Sequence, residues 1–393
     1  MRQEQTPTMK TVAFLTPEYP LPSMGYTGGI GTSIKNLADF YGSQGLRVFI
    51  FVYGQREDRV EEREAKTFVF IRQVYAGSIG WLVNRFRIQR VVNRWVAKAG
   101  IELIEVPDWT GISAFIRFDC PTVLKLHGSD TFFCHLEGRQ VKSRNRWFEK
   151  TAFKSADHIV AVSDFVGRKS CELFGTRRSY EVIHNGIHLD ALEPQTAGSQ
   201  SGAKTVFYFG SLIRKKGVLE IPAIYNLVHQ QHPNVRLVLA GNDAFDIHTG
   251  SGSTWELMKQ AFSTEAFPSV EYLGLVKHGQ IRRLIQQADV CIFPSYAEAF
   301  PVSWLEAMAQ GKALVCSDIG WSPEVILGEE VGFTAHPADH RAYAAHVVNL
   351  LENDQLREKM GKSALASVQA NFSIEQVGRQ HLDLLSQKIK KRR

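Results

Sequence analysis

The chain has 393 residues, 44% of them apolar and 22% charged, with 46 lysines and arginines against 40 aspartates and glutamates, a net charge of +6. That length exceeds what one hydrophobic core usually serves, so two domains of about 180–200 residues are expected. The composition is that of a globular protein, no apolar run reaches membrane-spanning length, and the polar residues 1–10 do not read as a signal peptide.

Along the chain the first expected strand is TVAFL at 11–15. Its loop carries Pro17, Pro20 and Pro22, then Gly28, Gly29 and Gly31 at the start of a helix expected over 30–43. Glycines there let backbone approach a ligand, and a helix start offers N–H groups to an anion. A tight turn would use the same residues, and their spacing is not the GxGxxG of a dinucleotide fingerprint. Strands are expected at 46–52, 68–71 and 101–106; the rest of 54–78 gives no functional signal. A helix over 81–98 sets Arg87, Arg90, Arg94 and Lys98 at helical spacing, interleaved with Trp81, Val91, Val92 and Trp95. Lys142, Arg144, Arg146, Lys150 and Lys154 make a second basic run, and the chain ends KIKKRR. Such faces suit solvent or an anionic partner. No nucleic-acid module accompanies them, so an anionic membrane surface is the functional expectation.

A strand at 122–127 ends in His127, with Asp130 just beyond. Ligands of doubly wound sheets gather beyond the carboxyl ends of strands, and histidine can donate or accept near neutral pH. A purely structural histidine would look the same. Strands at 158–163 and 180–184 complete the first series, and the polar stretch 191–204 is the expected linker. The rhythm restarts with strands at 205–210, 235–241, 270–274, 289–294, 312–317 and 332–335, and a last helix over 373–391. Continuous apolar runs separated by helix-length stretches mark buried, mostly parallel sheets with helices on both sides, an α/β class. The five cysteines, Cys120, Cys134, Cys171, Cys291 and Cys316, are scattered and odd in number, which argues against a disulfide framework or a zinc site and suits a reducing compartment.

In the second half, Gly210 ends a strand, and Arg214, Lys215 and Lys216 stand immediately before Gly217. A basic cluster on such a loop suits a diphosphate, Arg by its fork and Lys as a mobile point charge. Loops 237–246, with Asn242, and 272–280, with Val276, are placed to frame a base and ribose. Glu298 is expected in a loop ending a strand, and Glu306 about two turns into a helix, with Pro301 between them. That pair suits a polyhydroxylated ligand, with helix-end amides facing a phosphate. A surface connection with one solvated and one capping glutamate is the plain alternative.

In order, Gly28–Gly29–Ile30, His127–Gly128, VSDFV at 162–166, HNGIHLD at 184–190, GSLIRKKG at 210–217 and the E-x7-E pair Glu298 and Glu306 resemble glycosyltransferase family 4, bacterial retaining enzymes that use nucleotide sugars. The likeness runs through nearly the whole chain. It implies the GT-B fold: two Rossmann-like domains facing a cleft, 1–190 for the acceptor and 205–372 for the nucleotide sugar, with helix 373–390 crossing back to the first. It also implies that Glu298 binds hydroxyls of the transferred sugar, that Glu306 binds the ribose, and that Ala299, Phe300 and Val302 present backbone nearby. By the same likeness His127 stands beside the sugar, Gly29 faces phosphate or acceptor, and Lys216 binds the diphosphate. Two departures stand out. Ser211 occupies the place of the family's phosphate-loop arginine, for which Arg214 is the substitute at hand. Pro301 replaces a glycine and has no N–H to offer.

The implied reaction is a same-face substitution without a side-chain nucleophile and without a metal, a UDP-sugar being the favoured donor. The acceptor is a saccharide or lipid-linked saccharide, as in exopolysaccharide or envelope-glycan synthesis, at a cytoplasmic or peripheral inner-membrane location. Competing readings are a small soluble acceptor, an epimerase acting on the free donor, and a non-catalytic carbohydrate- or membrane-binding protein of the same fold. A nucleic-acid-binding protein fits the motifs least.

Overall fold

The computed structural model describes residues 9–21, 24, 28–189 and 202–390. The expected linker lies outside the described residues as far as Ser201, as do Pro22 and Asp190. The chain divides into two compact units, one of residues 1–188 with 373–393 and the other of 189–372.

The first unit is an eight-stranded sheet. Its strands are β1 (Thr11–Thr16), β2 (Arg47–Gln55), β3 (Arg59–Arg63), β4 (Lys66–Arg72), β5 (Leu103–Pro107), β6 (Thr122–Leu126), β7 (His158–Ala161) and β8 (Glu181–Val182), in the order β3-β4-β2-β1-β5-β6-β7-β8. Every pairing is parallel except β3 with β4. All six residues of β1 are buried, with Val12 between Val48 and Leu103, as an unbroken apolar run requires when helices cover both faces. β3 is absent from the sequence-based expectation. It reads RVEER, exposes most of its length at the sheet edge, and joins only β4, so it carries no apolar signal.

The last helix, Ile374–Lys390, belongs to this unit. Ile374, Val377, Leu382 and Leu385 enter one core with Ile34, Leu37 and Phe40 of helix Gly29–Ser43. Gly378 permits the close approach, since a Cβ there would stand 2.4 Å from the Phe40 ring. Its buried His381 meets the Tyr41 hydroxyl at 2.5 Å through Nδ1, and its Nε2 stands 3.1 Å from Glu105 Oε2 on β5. Lys125 Nζ on β6 is 3.9 Å from the other Glu105 oxygen. Burial raises the Glu105 carboxyl, but Lys125 and then His381 outweigh it and bring the pKa down to about 2.

The second unit is a six-stranded, wholly parallel sheet of β9 (Thr205–Phe209), β10 (Arg236–Ala240), β11 (Val270–Tyr272), β12 (Val290–Phe293), β13 (Ala313–Ser317) and β14 (Phe333–Ala335), ordered β11-β10-β9-β12-β13-β14. Successive strands run outward from β9 to β11, then resume on its other side at β12. Each unit is therefore a doubly wound, Rossmann-like domain with a switch point, β1/β5 in the first and β9/β12 in the second, where ligands of this architecture bind.

Candidate functional site

At the β9/β12 switch point two loops meet, 210–217 after β9 and 294–301 after β12. Gly217 makes the meeting possible: its φ is +65°, and a Cβ there would fall 1.6 Å from the Pro294 carbonyl oxygen. The Lys215 carbonyl accepts from the Tyr296 and Ala297 N–H groups at 2.8 and 3.1 Å, locking the loops together. Lys216 Nζ then donates to Glu298 Oε1 at 2.6 Å, and Ser295 Oγ donates to the same oxygen at 3.0 Å. Glu298 is only 7% exposed. Two residues expected from separate motifs thus form one charge-assisted pair at the sheet's carboxyl edge.

Arg214 stands in the same loop but its fork closes on Asp246, Nε and Nη2 each donating at 2.8 Å to one carboxylate oxygen. Asp246 is buried and also accepts from the Thr249 N–H at 3.0 Å and hydroxyl at 2.6 Å. The Arg214 hydrogen bonds hold its carboxyl far below the usual range. Arg214 therefore ties loop 210–217 to the loop after β10 instead of standing free as a phosphate ligand in place of the arginine missing at Ser211. The same two loops also join through backbone, with Leu212 N–H donating to the Asn242 carbonyl at 2.8 Å. The Asn242 residue itself is exposed and Val276, after β11, is half-buried. Gly210 and Gly241 touch so closely that a Cβ on Gly241 would sit 1.8 Å from the Gly210 oxygen.

Ala299, Phe300 and Pro301 are buried, and Phe300 packs on Phe372 with ring centres 5.7 Å apart. Pro301 caps helix Val302–Ala309. Because that helix begins at Val302, Glu306 lies little more than one turn in, not two as the sequence suggests; it is half-buried. Sequence reasoning missed Ser295 and Glu220. The Glu220 carboxylate accepts from the Tyr296 hydroxyl at 3.1 Å and meets His340 Nε2 at 2.6 Å, bracing loop 294–301 from outside. A serine three residues before a motif glutamate is the only sequence signal for the first. Glu220 has none, since its partners lie far along the chain.

In the first unit His127 follows β6 and is 9% exposed. Its backbone N–H donates to Asp108 Oδ1 at 3.0 Å, and Gly128 turns the chain at φ +91°. Burial and then the Lys125 charge lower His127 to about 3, so the imidazole is neutral at physiological pH. Burial raises Asp108, which follows β5, to about 8. At the glycine turn, Gly28 caps helix Gly29–Ser43, and the Gly31 N–H is already taken by Glu18 Oε1 at 3.0 Å. That carboxylate occupies one of the amides expected to be open to an anion. Around Gly29 a Cβ would meet nothing within 4 Å.

The second basic run forms helix Ser143–Ser155 and the first forms helix Gly80–Ala99. Arg90, Arg94 and Lys98 are exposed, whereas Arg87 pairs with Asp58. The two helices are joined by an aromatic contact, Trp81 to Phe148 at 4.6 Å between ring centres, and Phe115 of the intervening loop packs on Trp147 at 4.8 Å. No helix among the described residues is long and apolar enough to cross a membrane.

Residues 191–366 match the family described as Glycosyl transferases group 1, and residues 27–191 match Glycosyltransferase Family 4. Over 286 residues the chain is 24% identical to glycogen synthase of Mycobacterium tuberculosis, covering 70% of this chain and 66% of the synthase's length. It is 27% identical over 345 residues to phosphatidyl-myo-inositol mannosyltransferase of Mycobacterium leprae, covering 86% of this chain and 87% of that one. A crystal structure of Anabaena HepE in complex with UDP-glucose superposes with a TM-score of 0.72 at 19% identity, over 96% of this chain and 99% of the other. The two family matches run on from one another across both sheets, and the chain belongs to glycosyltransferase family 4, built on the GT-B fold.

Proposed function

We propose that this protein is a retaining glycosyltransferase moving a sugar from a nucleoside diphosphate sugar, UDP-sugar favoured, to a hydroxyl of a saccharide or lipid-linked saccharide in polysaccharide or glycolipid synthesis. The observation that carries the proposal is the Lys216–Glu298 pair, joined at 2.6 Å across the β9/β12 switch point. It sets a cation for a diphosphate beside a carboxylate for sugar hydroxyls, the two halves of such a donor. The UDP-glucose bound to HepE supports the same donor class.

In the reaction the bond from the anomeric carbon to the diphosphate oxygen breaks. A bond to the acceptor oxygen forms on the same face, and the acceptor's proton passes to the leaving phosphate. Negative charge grows on the leaving group, where Lys216 and loop amides stabilise it, each such group contributing about 3 kcal/mol. Donor binding exchanges the internal pair: Lys216 turns to phosphate and Glu298 to hydroxyls. Glu306, in the helix that follows, is assigned to the ribose. His127, neutral, holds a hydroxyl by one hydrogen bond and is not a general base. Lys216 takes the place a divalent metal fills elsewhere, so turnover is expected to survive a chelator.

The basic helices of the first unit, and the phospholipid in the mannosyltransferase's name, support a lipid-linked acceptor reached by peripheral contact with an anionic membrane. The test measures donor binding and hydrolysis across UDP-, GDP- and ADP-sugars, with and without a chelator, for wild type, Lys216→Ala and Glu298→Ala. Turnover of one donor, reduced ~100-fold or more in both variants with unchanged melting temperature, is the expected result. Wild type that binds no donor would sink the proposal in favour of a non-catalytic binder.

A further inference from the structure

The first unit holds a cavity of about 200 Å³ at the carboxyl ends of β2 and β4, lined by Tyr53, Arg72, Trp81 and Arg85 among others. It adjoins a wider recess of about 530 Å³ that shares Trp81 and is also lined by Arg144. Two buried polar atoms of the cavity wall, the Tyr53 hydroxyl and Arg85 Nε, have no hydrogen-bond partner among the described residues. Arg85 is 5% exposed, and its remaining N–H groups donate only to carbonyls: Trp81 at 3.1 Å, Thr110 at 3.2 Å and Gly111 at 3.0 Å.

No carboxylate among the described residues pairs with Arg85 or Arg144. The buried Glu149, on the neighbouring helix, is turned instead to the N–H groups of Thr110, Asp130 and Thr131. Burial, and the like charge of Arg144, lower Arg85 to about 10, which leaves it a cation at neutral pH. Its guanidinium lies 4.3 Å from the Phe148 ring centre and 5.4 Å from that of Trp81, contacts that ease its burial but supply no anion, which a ligand would add. The loop that Arg85 holds is strained as well, with Thr110 at φ +53° and Phe115 at φ +66°, both non-glycine residues in the left-handed region.

We infer that this cavity binds the phosphate of a phosphorylated polyol acceptor, with Arg85 and Tyr53 donating to phosphate oxygens, Arg144 supplying further charge and Trp81 offering ring surface to the polyol. The inference rests on the transferase proposal, which supplies the acceptor. The chemistry is shared by a free sugar phosphate and by the phosphopolyol headgroup of a lipid.

Calorimetric titration of the full chain with glucose and glucose 6-phosphate distinguishes the free source. Flotation with phosphatidylcholine vesicles carrying either phosphatidylinositol or phosphatidylserine distinguishes the lipid source from general attraction to negative charge. Tyr53→Phe is the decisive variant, because its hydroxyl has no partner among the described residues and its loss is expected to leave the melting temperature unchanged. A preference for glucose 6-phosphate over glucose, or for inositol over serine vesicles, weakened ~10-fold in Tyr53→Phe and in Arg144→Gln, is expected. The proposal is overturned if neither preference exists or if Tyr53→Phe binds as wild type does. UDP-glucose binding, followed in the same samples, reports on Lys216 and Glu298 alone, so failure of the donor site is visible separately.

Discussion

The first unit buries its charges and the second keeps them at its loops. Glu105, Lys125 and His381 form a chain inside the first sheet's packing, with Asp108, Glu149 and Arg85 buried near its carboxyl edge. At comparable depth the second unit has Trp304, Trp321, Phe207 and Val290, and places Lys216, Glu298, Arg214 and Asp246 in strand-end loops. One unit uses ionic groups to fasten elements distant in sequence, including the last helix. The other buries apolar side chains at that depth, ties its loops with pairs such as Arg214–Asp246 and Glu220–His340, and holds Lys216 and Glu298 where they can exchange partners with a ligand. Removing the Glu105 charge should therefore act on folding of the first unit, and removing the Lys216 or Glu298 charge on binding by the second.

The harshest way to break that contrast is Gly217→Ala. The new Cβ would collide with the Pro294 oxygen and demand a left-handed alanine, costing about 4 kcal/mol and parting Lys216 from Glu298. Chemical denaturation should show the loss in the second unit together with loss of donor binding; a variant of full stability would show that the loop contact is not needed.

Acid titration sharpens the other side. The Glu105 pKa is depressed in the folded state, so its contribution is present above the ordinary carboxylate value near 4.5 and is lost as pH falls through about 2. The amount is about 3 kcal/mol. His381, lowered by burial, acts in the same direction, because the unfolded chain takes its proton first as pH drops below the ordinary histidine value. Glu105→Gln should flatten the acid limb of the stability curve for the first unit while leaving donor binding by the second intact. An unchanged acid limb would remove the carboxylate from that role.

The smallest effect is expected from Arg214→Ala. It strips a buried carboxylate of its fork, for about 1–2 kcal/mol once the arginine's partial exposure is allowed for. Donor affinity should change far less than in Lys216→Ala. Equal losses in the two variants would mean that Arg214 leaves Asp246 for the diphosphate when donor binds.

Much of this was legible in the residues. Strands such as TVAFL and TVFYF announce themselves because a strand covered on both faces must be apolar throughout, and the glycine-bounded basic loop and the paired glutamates stand out by residue type, their expected roles resting on the family resemblance. β3 was not legible, since its stability comes from hydrogen bonds to β4 and not from burial of side chains. Nor was the start of the helix carrying Glu306, because proline at a helix cap leaves the boundary to local geometry.

By itself the sequence determined that there are two series of buried parallel strands and the class of sheet, both of which follow from the periodicity of its apolar runs, while the roles expected of Lys216, Glu298 and Glu306 rest on the family resemblance. The tertiary structure decided the partners. Lys216 pairs with Glu298 across 82 positions, Arg214 turns to Asp246, and His381 reaches Tyr41 across 340. Only the folded chain brings two basic segments together around the guanidinium of Arg85, which donates to three carbonyls and meets no carboxylate among the described residues. Pairings over such separations depend on which loops and strands lie side by side, and strand order is fixed by packing of the whole sheet.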